Sequence, residues 1–134
     1  MATTHLVNGT RTRVDAAALR RWIDAAARRL GVPKGAEVSV RLCGDRLCRR
    51  YNREFFDRDR PTDVIAWPSG DRRYLGDILI NLAQARRQAR RLGLPFREEL
   101  HRLVVHGFLH LNGYDHTRDA GEMEVLQERM VKGR

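Results

Sequence analysis

Three of the chain's five histidines lie within one stretch, residues 106–116, which reads HGFLHLNGYDH. His106 and His110 are one helical turn apart, so on an α-helix their imidazoles point the same way. A straight helix would carry His116 well round from His106, because each residue turns the chain by about 100°. Gly113 offers a break, since glycine adopts the left-handed conformation that ends helices without a Cβ penalty. The stretch therefore predicts three imidazoles that converge on one point.

Three neutral imidazoles with a fourth position open to water are the arrangement that holds a catalytic zinc. The same ligands also suit copper, nickel or iron, and single histidines on helices are more often ordinary core or surface residues. The spacing equals that of the metzincin protease motif, HExxHxxGxxH. Gly107 stands where that motif carries its general-base glutamate. A peptidase that uses this base is therefore disfavoured.

The size and composition of the chain indicate one globular domain over residues 1–134. Hydrophobic residues make up 42% of the chain and charged residues 32%, which is typical of soluble proteins with a single core. No apolar run approaches the roughly 20 residues that span a bilayer. The first residues lack the basic start and apolar region of a signal peptide. We therefore expect a cytoplasmic protein with no membrane partner.

The charge of the chain favours a polyanionic partner. The formal net charge is +9, and all but two of the basic residues are arginines, the lysines being Lys34 and Lys132. Nucleic acid is the leading candidate for the partner. The alternative is that the base composition of the genome favours arginine codons wherever a cationic residue is tolerated. Cys43 and Cys48 have no second pair, so they predict two reduced thiols and not a zinc ribbon.

The periodicity of the chain predicts an α+β domain with a small sheet, because a few strands are followed by several helices. Alternating or β-branched segments predict strands at residues 3–7, 37–42, 63–67 and 75–81. Helical periodicity predicts helices at residues 14–30, 45–54 and 82–92, one from Pro95 into the histidine stretch, and a last one that begins at a capping arrangement of Asp119 and Glu122. Asp45 is expected to cap the second helix. Met123, after the third histidine, is interpreted as a core residue.

Two further groups of side chains are candidates for RNA contact. The helix at residues 82–92 carries four arginines at i,i+4 spacing, Arg86 with Arg90 and Arg87 with Arg91. These could follow a phosphate backbone, although such charge runs are usually solvated helix faces. The aromatic residues Phe55, Phe56 and Trp67 could stack on bases, although core packing is the more ordinary role of each.

The histidine stretch closely resembles the signature of the YbeY-type endoribonucleases, bacterial factors of ribosomal RNA maturation. Residues 51–53 (YNR) and 61–67 (PTDVIAW) resemble a second block of that family, and residues 75–78 (LGDI) resemble a third. The three blocks occur in the family's order, and the resemblance extends from about residue 37 to residue 125.

The resemblance implies a zinc ion held by His106, His110 and His116. It implies a small mixed sheet packed with about five helices, with the metal in a cleft at the end of a helix. It also implies cleavage of single-stranded RNA in the maturation of the 3′ end of small-subunit (16S) ribosomal RNA and in ribosome quality control. The implied partners are ribosomal RNA, the small subunit and its associated proteins.

The sequence departs from the family pattern at Phe56, where many members carry an active-site arginine. Arg58 and Arg53 lie nearby, and Arg58 is our candidate for the guanidinium that stabilises developing phosphate charge. Asp115 is a candidate for orienting a ligand histidine, or for stabilising the turn after Gly113. Two alternatives stay open. One is a non-catalytic ribosome-assembly protein with a structural zinc, and the other is a zinc hydrolase with another substrate, such as a peptide.

Overall fold

The computed structural model of the chain describes residues 1–115 and 119–132. These residues form four β-strands and five α-helices. The strands are β1 (Thr3–Asn8), β2 (Glu37–Cys43), β3 (Val64–Pro68) and β4 (Tyr74–Asn81). The helices are α1 (Ala16–Arg29), α2 (Asp45–Phe56), α3 (Leu82–Leu92), α4 (Phe96–Leu111) and α5 (Glu122–Val131). The predicted α+β class is confirmed.

The four strands make one mixed sheet in the order β1-β2-β4-β3. β1 and β4 both pair with β2 in parallel, whereas β3 pairs with β4 antiparallel and forms an edge of the sheet. Parallel neighbours need crossover connections, which α1 and the α2–β3 segment supply. The mixed sheet that the family resemblance implies is therefore present.

One face of the sheet forms the main core with α1, α3 and α4. The alternation of β2 places Val38, Val40 and Leu42 on this face, each at most 1% exposed, because successive side chains of a strand point to opposite faces. Phe108 of α4 and Leu19 of α1 are fully buried against them. On the other face α2 packs over part of the sheet, through a smaller cluster that includes the free thiols of Cys43 and Cys48.

α4 lies against β3 and β4 and also contacts α1, α3 and α5. Its close approach to the sheet depends on Gly107, because a Cβ there would lie 2.7 Å from Ile78 Cγ2 and 3.3 Å from Val64 Cγ2. Position 107 therefore faces the sheet. A glutamate could not occupy it and serve as a general base, which strengthens the argument against a metzincin-type peptidase.

Several helix ends differ from the prediction. Gly44 is the N-cap of α2, so the predicted capping role of Asp45 is wrong. Its carboxylate instead accepts hydrogen bonds from Arg87 and from Asn81, and the Arg87 guanidinium holds the pKa of Asp45 below its usual range. Pro95 is the N-cap of α4 and not its first residue.

The aromatic end of α2 also differs from the prediction. α2 continues to Phe56, which places Phe55 and Phe56 on the last turn, 56% and 47% exposed. Core packing of these two rings, the more ordinary role expected of them, does not occur.

The capping prediction for α5 is wrong in position, because Gly121 is the N-cap, but both predicted carboxylates accept from backbone N–H groups at this end of the helix. The Asp119 carboxylate accepts from the backbone N–H of Gly121 and of Met123, and the Glu122 carboxylate accepts from the N–H of Ala120. Met123 is 1% exposed, as expected of a core residue. Among the described residues, no helix is both long enough and apolar enough to cross a membrane.

Candidate metal centre

The last two turns of α4 bring His106 and His110 together. Their Nε2 atoms lie 3.1 Å apart, with ring centroids 4.7 Å apart and an interplanar angle of 74°. Two nitrogens bound to one tetrahedral zinc at 2.0–2.1 Å are separated by about 3.3 Å. The two imidazoles are therefore within a few tenths of an ångström of the geometry that such an ion requires.

Gln127 of α5 sets the orientation of the first imidazole. His106 Nδ1 lies 2.7 Å from Gln127 Oε1. An amide oxygen only accepts, so this contact favours the tautomer with the proton on Nδ1, in which Nε2 keeps its lone pair. This leaves the nitrogen that faces His110 as a potential ligand atom. The sequence reasoning missed Gln127, whose one signal is its place one helical turn after the buried Met123.

The chain turns directly after the two histidines. α4 ends at Leu111, and Gly113 has a φ of +92°, which confirms the predicted break. The N–H of Gly113 donates to His110 O and the N–H of Tyr114 to Leu109 O. These bonds pair carbonyls of the last turn of α4 with N–H groups of the turn that follows it.

A cavity of about 730 Å³ adjoins His110. Its described lining comprises Pro68, His110, Gly113, Tyr114, Asp115, Asp119, Ala120 and Glu122. Residues on both sides of positions 116–118 therefore border the same space as His110. Within residues 1–115 and 119–132, no three His, Cys, Asp or Glu side chains form a metal-binding group. The predicted third ligand, His116, lies outside the described residues.

The described lining of this cavity contains carboxylates but no arginine. Asp115 borders the cavity, as its predicted role requires, and that role stays a prediction. Arg58 is exposed in the segment after α2 and is not part of the described lining. Phosphate would be repelled by the carboxylates of this cavity unless a cation were present.

The predicted RNA-binding arginines of α3 divide into two pairs. Arg87 forms a bidentate ion pair with Asp45, and the Arg86 guanidinium lies over the Phe96 ring, 5.2 Å from its centroid. Arg90 and Arg91 are exposed, and neither has an ion pair within the described part of the chain. Two of the four guanidinium groups are thus engaged within the fold, and RNA contact by α3 stays a prediction.

Comparison with protein families gives a match over nearly the whole chain. Residues 7–133 match the family model described as Endoribonuclease YbeY. A protein of that name from Solibacter usitatus is 45% identical over 116 residues, which is 84% of this chain and 78% of the relative. One from Aquifex aeolicus is 38% identical over 82% of this chain and 75% of the relative.

A third relative of the same name, from Persephonella marina, is 43% identical over 67% of this chain, and the match spans only 63% of that relative's length. Among solved structures, the solution structure of TM1509 from Thermotoga maritima matches with a TM-score of 0.66 and 26% identity. The match covers 98% of this chain and 87% of that one.

Proposed function

The chain belongs to the Endoribonuclease YbeY family, and from this premise we propose that it is a zinc-dependent endoribonuclease that cuts single-stranded RNA. Family membership supports a hydrolase that acts on RNA. The observation that carries the metal dependence is the pair of Nε2 atoms 3.1 Å apart at the end of α4. A cationic centre there would also offset the carboxylates of the adjoining cavity, which disfavour phosphate on their own.

His106, His110 and His116 would hold the zinc in this proposal. The donor set fits the ion, because two imidazole nitrogens have the required separation and Gln127 lies within hydrogen-bond distance of Nδ1 of one ring. The chain turns at Gly113, and Asp115 and Asp119, which precede and follow residues 116–118 in the sequence, border the cavity beside His110. A bound zinc would supply a Lewis acid and a water of pKa near about 7. Asp115 would help to orient a ligand histidine.

Phosphodiester cleavage also needs a cation at the developing charge. We assign this role to Arg58, whose guanidinium has no ion pair in the described part of the chain. Its planar fork suits two phosphate oxygens. Phe56, at the position of the family arginine, favours a second candidate function, a ribosome-assembly protein in which the zinc is structural. The proposed biological substrate is the 3′ end of small-subunit ribosomal RNA, in the cytoplasm and on the ribosome.

Metal removal tests the function directly. Purified protein is expected to cut single-stranded RNA faster than the matched duplex, to lose this activity on dialysis against a chelator, and to regain it with stoichiometric zinc. RNA cleavage is followed by gel electrophoresis and zinc content by atomic absorption. Zinc-loaded protein that leaves RNA intact would favour the assembly function, and cleavage of casein without cleavage of RNA would favour a peptidase.

Replacing Gln127 tests whether the orientation of the His106 imidazole matters for zinc binding, because the imidazole itself stays in place. Gln127→Leu removes the acceptor for His106 Nδ1–H and is expected to weaken zinc binding by about 10–100-fold. Gln127→Glu keeps an acceptor at the same reach and is expected to retain or tighten zinc binding. A competition titration with a chromogenic chelator measures both affinities. Equal affinities of Gln127→Leu and the parent protein would show that this hydrogen bond does not position the ligand.

A further inference from the structure

The sheet face opposite the main core is only partly covered. α2 packs there on Ile65 and Leu79. Beyond α2, an open cavity of about 540 Å³ is lined by residues of all four strands and of α2, among them Arg41, Tyr51, Phe55, Trp67 and Asp77. This sheet-face cavity is distinct from the cavity beside His110.

Three aromatic rings wall the sheet-face cavity. Tyr51 and Phe55 lie one turn apart on α2, and each packs in a T-shaped arrangement on Trp67 of β3, with centroid distances of 5.8 and 5.3 Å. Phe55 nevertheless remains 56% exposed. Exposed rings grouped in this way are the platform on which single-stranded nucleic acids stack their bases.

Arginine side chains lie beside the sheet-face cavity. Arg41 lines it and also lines a neighbouring cavity of about 1030 Å³ along α2. The arginines of that neighbouring cavity are Arg41, Arg46, Arg49, Arg50 and Arg53. Arg49, Arg50 and Arg53 are engaged by Asp59 or Glu54. Arg41 and Arg46 have no ion-pair partner within residues 1–115 and 119–132.

The charges around the sheet-face cavity determine how a single-stranded RNA would be oriented there. Asp77 lines the sheet-face cavity and accepts a hydrogen bond from the Tyr74 hydroxyl, at 2.7 Å. Its carboxylate disfavours a phosphate inside the cavity but accepts from the amino group of a base. The base therefore belongs inside, against the rings, and the phosphates belong outside, on Arg41 and Arg46.

Two adjacent residues of β3 border the sheet-face cavity and the cavity beside His110 (the histidine cavity), respectively. Trp67 lines the first and Pro68 lines the second, because adjacent residues of a strand point to opposite faces. Both residues lie at the end of the edge strand β3. A single-stranded RNA that crosses this end of β3 would reach both cavities without passing through the core.

We propose that the sheet-face cavity binds a base of single-stranded RNA against the exposed rings of Phe55 and Trp67, with the adjoining phosphates on Arg41 and Arg46. The inference rests on the proposed function, since the bound strand is the substrate held outside the cleavage centre.

The emission of Trp67 reports occupation of this cavity. The chain has two tryptophans, and Trp22 stacks on His101 on α4, on the other side of the sheet. In a Trp22→Phe background, single-stranded oligoadenylate is expected to quench Trp67, and so is oligodeoxyadenylate, which an endoribonuclease does not cut. Adding Phe55→Leu keeps the apolar contact but removes the ring, and is expected to weaken binding about tenfold.

Salt dependence tests the phosphate contacts. Arg41→Gln with Arg46→Gln is expected to reduce the slope of log affinity against log salt by about 1.4, since each single-strand phosphate contact contributes about 0.7. Arg20→Gln with Arg21→Gln, exposed on α1 beyond the other face of the sheet, makes the same change of charge and is expected to leave the slope within error.

Unchanged Trp67 emission on addition of oligonucleotide, or equal binding by Phe55→Leu and its parent, would overturn the inference. Emission that changes with protein concentration and not with oligonucleotide would assign the surface to a second copy of the chain. The outcome is separable from the proposed function: cleavage without quenching rejects this surface alone, and quenching without cleavage rejects the nuclease alone.

Discussion

His110→Ala is expected to abolish zinc binding and to lower single-stranded RNA cleavage by more than about a hundredfold. Loss of a residue that only orients a metal ligand lowers metal affinity or activity by about 10–100-fold. His110 would itself be a ligand, so its loss should have a larger effect. Its Nε2 lies 3.1 Å from that of His106, so its loss leaves His106 as the one predicted zinc ligand on α4. Zinc content and the rate of RNA cleavage, measured on the same preparation, check the result.

His101→Phe is the matched control for this change. His101 is on the same helix, and its ring stacks on Trp22 with centroids 4.4 Å apart and an interplanar angle of 13°. Phenylalanine keeps the stacking and removes the imidazole, so zinc content and cleavage should both be retained. If His110→Ala loses zinc but cuts RNA as the parent does, the metal is not catalytic. If it keeps stoichiometric zinc, His110 is not a zinc ligand.

The part of the centre that the sequence predicts is the part encoded in local spacing. The interval of four residues places His106 and His110 on one side of α4, and the left-handed preference of glycine predicts the turn at Gly113. Gln127 could not be found in this way. It reaches His106 from α5, 21 residues further along the chain, and only the packing of α5 against α4 brings the two together.

Local sequence patterns likewise predict only part of the fold. Alternation predicts which side chains of β2 are buried, because the period of a strand is a local property. It does not predict the strand order or which face a helix covers. The exposure of Phe55 follows from α2 covering only part of its sheet face. Asp45 forms an ion pair with Arg87, 42 residues away, a contact that no local capping pattern encodes.

Gly76→Ala is expected to lower the free energy of unfolding by about 3–5 kcal/mol, from backbone strain and overpacking combined. Gly76 has a φ of +136°, and a Cβ there would overlap the carbonyl oxygen of Trp67 and lie 3.0 Å from Leu111 Cδ2. This is a large share of the 5–15 kcal/mol typical of a domain. Urea denaturation followed by circular dichroism measures the loss, and the melting temperature should fall by more than about 10 °C.

Gly31→Ala is the control that has the backbone strain of a positive φ without the steric overlap found at Gly76. Gly31 also has a positive φ, +68°, but nothing lies within 4 Å of the place that a Cβ would occupy there, so the change should cost only about 1 kcal/mol. Gly76 pairs with Pro68, which borders the histidine cavity. Gly76→Ala should therefore also reduce RNA cleavage at temperatures where the protein is still folded, whereas Gly31→Ala should not. Equal stability losses in the two variants would show that β3 moves aside without cost, and that the overlap with Trp67 does not hold this edge of the sheet in place.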